Sequence, residues 1–276
     1  MNAGQKRVRL REMLAAPNGQ IAPGVTDAFM ARLAQDCGYA VAHLSGNAIH
    51  KNFCLPDRNL LAIEQIAQRV TEINAATDIP LIVDAGPICV EPNALARAVA
   101  LYEAAGAAAL RFEDSLKNEY GADARELAIT PKESVVERIK AAVAARRDDT
   151  LVLIARCDSR PLESLARVRE RLSAYVAAGA DAVGVQLDDV TEFAALAAAP
   201  VVTLWPRDKV NAFEFFRLGV KMALMPSSLP LAAAAAMREM LLELKETGTE
   251  RAYFARQLEF AAAEQWYKRL GDDKPH

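Results

Sequence analysis

The 276-residue sequence predicts a single α/β domain, a (β/α)8 barrel with additional helices at both ends. Eight short apolar runs recur along it, at residues 21–24, 39–44, 79–83, 107–112, 151–155, 182–185, 200–204 and 220–225. Alanine-rich stretches of helical character separate most of them, and a strand–helix unit repeated in this way closes into a barrel. Nearly every run stops at a polar or small residue, and the carboxyl ends of the strands are the active face of this fold. The stops include Asp27, Ser45, Gly46, Asp84, Glu113, Asp114, Arg156, Asp158, Gln186, Arg207 and Ser227.

Residues 1–16 read as a helix packed near the bottom of the barrel. Gly38, Gly106, Gly179 and Gly219 each follow an apolar helical stretch and precede an apolar run. Glycine after a helix takes the left-handed conformation that ends it. Seven residues beyond each stands Ser45, Glu113, Gln186 or Pro226, so a common offset brings these four to one rim. Two of the units, Tyr-Glu-Ala-Ala-Gly-Ala at 102–107 and Tyr-Val-Ala-Ala-Gly-Ala at 175–180, are close copies. Thr130 and Pro131 read as a cap and a first helical position, opening a helix whose apolar face is Val135, Val136, Ile139 and Val143. Residues 231–245 form another helix, ended by Gly248. Residues 250–276 are a helical extension with Tyr253, Phe254, Phe260, Trp266 and Tyr267. Those aromatics pack either on a partner subunit or on their own barrel. Two loops stand out at the catalytic face: 46–57, with Asn47, His50, Lys51 and Asp57, and 114–131, long and charged in the manner of a lid.

Composition narrows the function. Hydrophobic residues make up 52% of the chain, net charge is −3 and the isoelectric point is about 5.8. A nucleic-acid surface needs a basic patch, and none is evident. No apolar run reaches the roughly 18 residues of a membrane span. The charged start lacks the apolar core of a secretion signal. Cys37, Cys54, Cys89 and Cys157 are scattered, which fits free thiols in a cytoplasmic protein. Three histidines are too few for a multi-histidine zinc site.

Asp57, Asp84 and Glu113 come from separate loops or strand ends. If they converge, they repel one another unless a cation sits among them, and Mg2+ (or Mn2+) suits oxygen donors. Arg156 presents a planar fork for a carboxylate or phosphonate. The Ser45-Gly46-Asn47 turn offers backbone N–H groups to an anionic oxygen. Together they suit a small di-acid and an enolate formed from it. Other readings are open at single residues. Asp158 pairs with Arg156 or Arg160 as a structural group, and Asp114 and Glu113 hold the strand rim through backbone contacts. His43 is a hydrogen-bonded core residue, His50 and Lys51 are solvated, and Cys157 packs in the barrel.

Residues 8–248 resemble the isocitrate lyase/phosphoenolpyruvate mutase superfamily. The matching stretches are Pro-Gly-Val-Thr-Asp-Ala at 23–28, His-Leu-Ser-Gly at 43–46, Leu-Pro-Asp at 55–57, Pro-Leu-Ile-Val-Asp-Ala at 80–85, Phe-Glu-Asp at 112–114, Ile-Ala-Arg-Cys-Asp-Ser-Arg at 154–160 and Ala-Gly-Ala-Asp-Ala at 178–182. Each is weak alone; their order and spacing are specific. The resemblance implies a magnesium-dependent barrel acting on 2-oxo or 2-hydroxy di-acids, with a gating loop after the fourth strand. It also implies an oligomer, a dimer or tetramer, with a C-terminal helix on a partner. Under it, Ser45, Gly46 and Asn47 hold the substrate's oxygens, Asp57, Asp84 and Glu113 hold the metal, and Arg156 contacts the substrate.

The chain also departs from that pattern. The second aspartate after the third strand is replaced in Asp-Ala-Gly at 84–86, with Glu91 nearby in sequence. The lid reads Lys-Asn-Glu-Tyr-Gly at 117–121, without the cysteine that lyases use as acid. That disfavours a standard isocitrate or methylisocitrate lyase, and the mutase-type lid makes Asn118 the residue brought to the substrate. Gln186 replaces a glutamate, and Trp205 and Arg207 stand where an asparagine is expected, giving the pocket its own wall and charge. The expectation is a carbon–carbon lyase working through an enolate, by retro-aldol cleavage or decarboxylation. The alternatives are carbon–phosphorus chemistry of the phosphonopyruvate type and a non-catalytic ligand-binding barrel.

Overall fold

The computed structural model describes residues 1–56, 60–85, 92–116, 128–187, 189–196, 199–206, 208–256 and 264–269. Asp57, Gly86, Glu91, Asn118 and Arg207, and the central part of the expected lid, lie outside the described residues.

Eight parallel strands form a closed barrel: β1 (Gln20–Val25), β2 (Ala42–Leu44), β3 (Leu81–Asp84), β4 (Ala109–Glu113), β5 (Val152–Cys157), β6 (Ala182–Val185), β7 (Val201–Leu204) and β8 (Val220–Met225). They follow one another around the barrel in chain order, and β8 closes on β1. All eight arise from the apolar runs of the sequence. Alternate side chains point inward, so Ala22, Val41, Ile82, Ala109, Val152, Ile154, Ala182, Val202, Met222 and Leu224 share one buried core. Such strands are covered on both faces, which is why their outward residues, such as Leu110 and Val183, are apolar too.

The first helix, α1 (Ala3–Ala15), sends Leu10 and Leu14 into that core. It opens with a capping box in which the Asn2 side chain accepts from the Gln5 N–H and the Gln5 side chain accepts from the Asn2 N–H. Its polar face is fastened to the amino ends of the strands. Arg7 Nε donates to the Ala107 carbonyl at 2.9 Å, and its Nη1 reaches Asp148 at 2.7 Å. Lys6 Nζ donates to the Asn74 carbonyl and side chain at 2.6 and 2.7 Å.

The four repeat glycines all have positive φ, from 87° to 108°, as the cap reading requires. Gly106 needs its missing side chain twice over. Its φ is +99°, and a Cβ there would lie 2.3 Å from Asn74 Nδ2.

The repeat is not perfect. Between β6 and β7 the chain makes a 3₁₀ turn, Val190–Ala195, where an eight-fold pattern calls for an α-helix. Asp189 starts it by accepting from the Thr191 N–H and hydroxyl. The helix after β4, Lys132–Ala145, starts one residue later than the sequence suggests, with Pro131 as its cap residue and no side-chain cap bond. Residues Gly46–Asn52 form a short helix, here α2, in a segment expected to be loop.

The chain forms two compact units, Met1–Ser227 and Ser228–His276. The second begins with the 20-residue helix Ser228–Thr247, ended at Gly248 with φ 71°. That helix has no buried residue, and Leu231, Met237, Leu241 and Leu242 are exposed on it.

Candidate active site

Barrel geometry fixes which side chains meet at the carboxyl rim. In β4 the residues sharing a face are Ala109, Arg111 and Glu113; Ala109 is in the core, so all three point inward. The same parity aims Asp84 of β3 and Arg156 of β5 at the interior. Register sets Asp84 opposite Arg111, and Glu113 opposite Arg156. Opposite charges therefore face one another across both strand pairs.

Arg156 is the centre of this arrangement. Its Nη1 donates to Glu113 Oε2 at 3.0 Å and its Nη2 to Gln186 Oε1 at 3.1 Å. Asp158 Oδ1 lies 2.5 Å from its Nε as an ion pair. Burial acts to lower the Arg156 pKa, but Asp158, Glu113 and Asp84 outweigh it and hold the guanidinium above its ordinary value. The cation is permanent, and three groups aim it. Gln186 is exposed, so this end of Arg156 faces outward.

Asp158 and Asp114 tie the rim together. Asp158 accepts a hydrogen bond from Ser115 Oγ at 3.1 Å on one oxygen and is ion-paired with Arg156 through the other. Asp114 accepts from the Asp158 N–H at 2.8 Å and from the Tyr175 hydroxyl at 2.7 Å. Its own N–H donates to the Arg156 carbonyl and its carbonyl accepts from the Thr130 N–H. Burial raises the Asp114 pKa, opposed by those donors. Asp114 is thus fully committed to holding the strand ends, and the pairing expected for Asp158 is with Arg156. Ser115 and Leu116 pair antiparallel with Ile129 and Ala128 in a short ribbon at the base of the expected lid.

The Ser45-Gly46-Asn47 turn is the first turn of α2. Ser45 caps it weakly, its hydroxyl 3.5 Å from the Ala48 nitrogen. A Cβ on Gly46 would sit 3.8 Å from Asp84 Oδ2, which sets this turn beside the β3 carboxylate. Asn47 is half-buried. His50 Nδ1 lies 2.7 Å from the Gly46 carbonyl, so His50 braces the helix from within; it is not a solvated loop residue. Trp205 is half-buried and spends its indole N–H on the Val210 carbonyl at 2.8 Å. Its ring is thereby fixed at the end of β7.

Cys157 is buried, as a barrel-packing residue should be, and burial pushes its thiol up to about 12. His43 differs from expectation. It is completely buried in β2, yet neither ring nitrogen has a hydrogen-bond partner among the described residues. Burial lowers its pKa to about 4, with Asp84 opposing and Arg111 and Arg156 assisting. Neutral imidazole is its resting form.

The sequence reading missed Arg111. It is 1% exposed, and its Nη1 pairs with Asp84 Oδ2 at 3.2 Å. The signal was its two-residue spacing from Glu113 inside an apolar run.

The carboxyl rim of the closed barrel thus gathers two arginines, four carboxylates (Asp84, Glu113, Asp114 and Asp158) and a backbone turn, a set of groups chemically suited to anionic ligands. Residues 10–245 match the family model described as phosphoenolpyruvate phosphomutase. The chain is 31% identical over 250 residues to a 2-methylisocitrate lyase of Aeropyrum pernix, covering 88% of this chain and 80% of that one. It is also 31% identical over 248 residues to an oxaloacetate decarboxylase of Bradyrhizobium diazoefficiens, covering 87% and 85%. A crystal structure of phosphonopyruvate hydrolase with oxalate and Mg++ superposes with a TM-score of 0.83 over 99% of this chain and 98% of that one. At 24% identity that likeness shows the fold alone. The chain belongs to the phosphoenolpyruvate mutase/isocitrate lyase superfamily.

Proposed function

We propose that the protein is a lyase that breaks a carbon–carbon bond in a small 2-oxo or 2-hydroxy carboxylate and passes through an enolate. The observation that carries this reading is the braced Arg156, held by Glu113, Asp158 and Gln186 at the mouth of the barrel. A carbon–carbon cleavage is also the activity named for the lyase and decarboxylase relatives.

In this reading the substrate carboxylate sits over Arg156 and Gln186, and the oxygen that becomes anionic lies toward Ser45, Gly46 and Asn47. In retro-aldol cleavage the substrate hydroxyl gives up its proton as its carbon becomes the carbonyl of one product, and the electron pair of the broken bond is left on the carbon beside the carbonyl or carboxylate of the other. Decarboxylation does the same, with carbon dioxide as the other product. The pair delocalises onto the oxygen as an enolate, and one proton then returns to carbon. Fixed N–H donors and a guanidinium stabilise the charge as it forms. Glu113 orients Arg156 and Trp205 walls the pocket; Asn118 and Arg207, outside the described residues, belong to this reading on the sequence alone.

Magnesium or manganese through Asp57, Asp84 and Glu113 is the cofactor the sequence leads one to expect. The described donors do not fit such an ion. Asp84 and Glu113 each face an arginine, and among the described residues no three His, Cys, Asp or Glu side chains could hold a metal. A homo-oligomer belongs to the same reading, with the exposed leucines of the helix Ser228–Thr247 against a second copy, as does a cytoplasmic location. No described helix is long and apolar enough to cross a membrane.

The test is substrate turnover by the whole chain. Pyruvate release from oxaloacetate or 2-methylisocitrate, above the uncatalysed rate, is the expected result. Phosphate release from phosphonopyruvate with no carbon–carbon cleavage would move the protein to carbon–phosphorus chemistry. Binding without turnover of any of the three would make it a ligand-binding barrel.

A further inference from the structure

Arg111 and His43 are two buried groups that the lyase chemistry leaves without a role. Both point to the barrel axis, Arg111 in the row of Ala109 and Glu113, His43 in the row of Val41 and Ser45. They lie one layer below the rim formed by Glu113, Arg156 and Ser45. Arg111 is ion-paired through Nη1 to Asp84, but Nε and Nη2 have no hydrogen-bond partner among the described residues. Neither His43 nitrogen has one either. Unfilled donors on a buried cation are costly, so the fold keeps them only if something supplies acceptors.

Comparison with Arg156 sharpens the point. Arg156 divides its fork among Glu113, Gln186 and Asp158. Among the described residues Arg111 shares a single ion pair and keeps two spare donors. It also stands against the carboxylate that a metal would need, at 3.2 Å. A guanidinium there gives Asp84 a permanent counter-charge.

We propose that Arg111 is the resident cation of this site: it neutralises Asp84, and its spare N–H groups, with His43, receive the anionic oxygen of a small 2-oxo acid without a divalent ion. This deepens the lyase reading and rests on it for the substrate class. The ligand is recognised as a planar, vicinal pair of anionic oxygens, such as an enolate and its neighbouring carboxylate. Oxalate is a stable probe of that shape.

The experiment is calorimetric titration of oxalate into the full-length protein, in chelator and again with magnesium or manganese. The wild type is expected to bind oxalate in chelator, with little change on adding either metal. Arg111→Met is expected to weaken that binding by about 10- to 150-fold, the worth of a lost charge-assisted contact. If Arg111→Met does not melt as a folded protein, Arg111→Met with Asp84→Asn removes both charges together and decides the matter, with the same loss expected. Oxalate binding that appears only with metal overturns the proposal, as does wild-type affinity in either variant. Oxaloacetate turnover with unchanged oxalate affinity in Arg111→Met overturns this assignment and leaves the lyase reading standing. Metal-free oxalate binding that is lost in the variant, in a protein that turns over none of the substrates, supports the site and overturns the lyase reading.

Discussion

Arginines close both ends of this barrel, and they spend their hydrogen bonds differently. At the amino ends, Arg7 donates to the main-chain carbonyls of Ala107 and Glu103, and Arg11 to those of Thr150, Asp149 and Leu151. Arg146 reaches the Leu151 carbonyl and shares Asp181 with Arg11. At the carboxyl ends, Arg111 and Arg156 face the side chains of Asp84, Glu113, Asp158 and Gln186. A main-chain carbonyl cannot leave without the strand moving, so the lower arginines are fasteners. A side-chain carboxylate can exchange its arginine for a ligand, so the proposed site lies at the upper ones. The same residue type is structural or functional according to what accepts its protons.

The contrast breaks first at Arg7. Arg7→Met removes a nearly buried guanidinium from two carbonyls and from Asp148, and each buried acceptor left unsatisfied costs about 1–3 kcal/mol. The expected outcome is a large fall in unfolding free energy, with kcat/KM unchanged well below the transition. Lost turnover at full folding would join the two ends that the comparison separates.

His43 gives the next effect, and it depends on pH. Its folded pKa, about 4, lies below the ordinary 6.5 because the ring is buried. Between those values the unfolded chain binds more protons, so stability rises with pH across that window and is lost as pH falls through it. The full shift is worth about 3 kcal/mol. Denaturant unfolding of His43→Phe should show a flatter pH dependence there; an unchanged slope would mean that His43 is not the group responsible.

Arg156→Lys sharpens the comparison from the other side. It keeps the charge and loses the planar fork. A lost contact of roughly 1.5–3 kcal/mol corresponds to about a 10- to 150-fold fall in kcat/KM. Steady-state kinetics beside a melting curve decide it. Normal efficiency with a lowered melting point would make Arg156 a fastener like Arg7.

Much of this was legible in the sequence for physical reasons. The strands are apolar on both faces, so β4 and β5 stood out as continuous runs, and positive φ at Gly106 and Gly179 made the helix ends readable. Charge and spacing offered Asp158 two partners, Arg156 and Arg160, each two residues away, and the fold pairs it with Arg156. Arg111 was hidden because Leu110 and Phe112 flank it and a run of apolar residues masks a single inward cation. Its partner Asp84 lies on a neighbouring strand, and only the register between β3 and β4 brings them together. The 3₁₀ turn at Val190–Ala195 escaped because alanine-rich composition marks helix without fixing its length.

The smallest effect tests how the ribbon speaks to the site. Ser115 donates its hydroxyl to Asp158 Oδ2, and Asp158 pairs with Arg156 through its other oxygen. Ser115 also begins the ribbon with Ile129. Ser115→Ala removes one neutral donor to a buried carboxylate, worth about 0.5–1.5 kcal/mol net. Asp158 would then answer only to Arg156 and to its backbone bond with Asp114. If the hydroxyl acts through Asp158 to aim the guanidinium, Ser115→Ala and Arg156→Lys share a path, and their costs in kcat/KM should add to less than their sum. A double-mutant cycle measures that coupling, for which contacting residues give roughly 0.5–3 kcal/mol. Strict additivity would confine Ser115 to the ribbon and leave Arg156 aimed by Glu113, Gln186 and Asp158 alone.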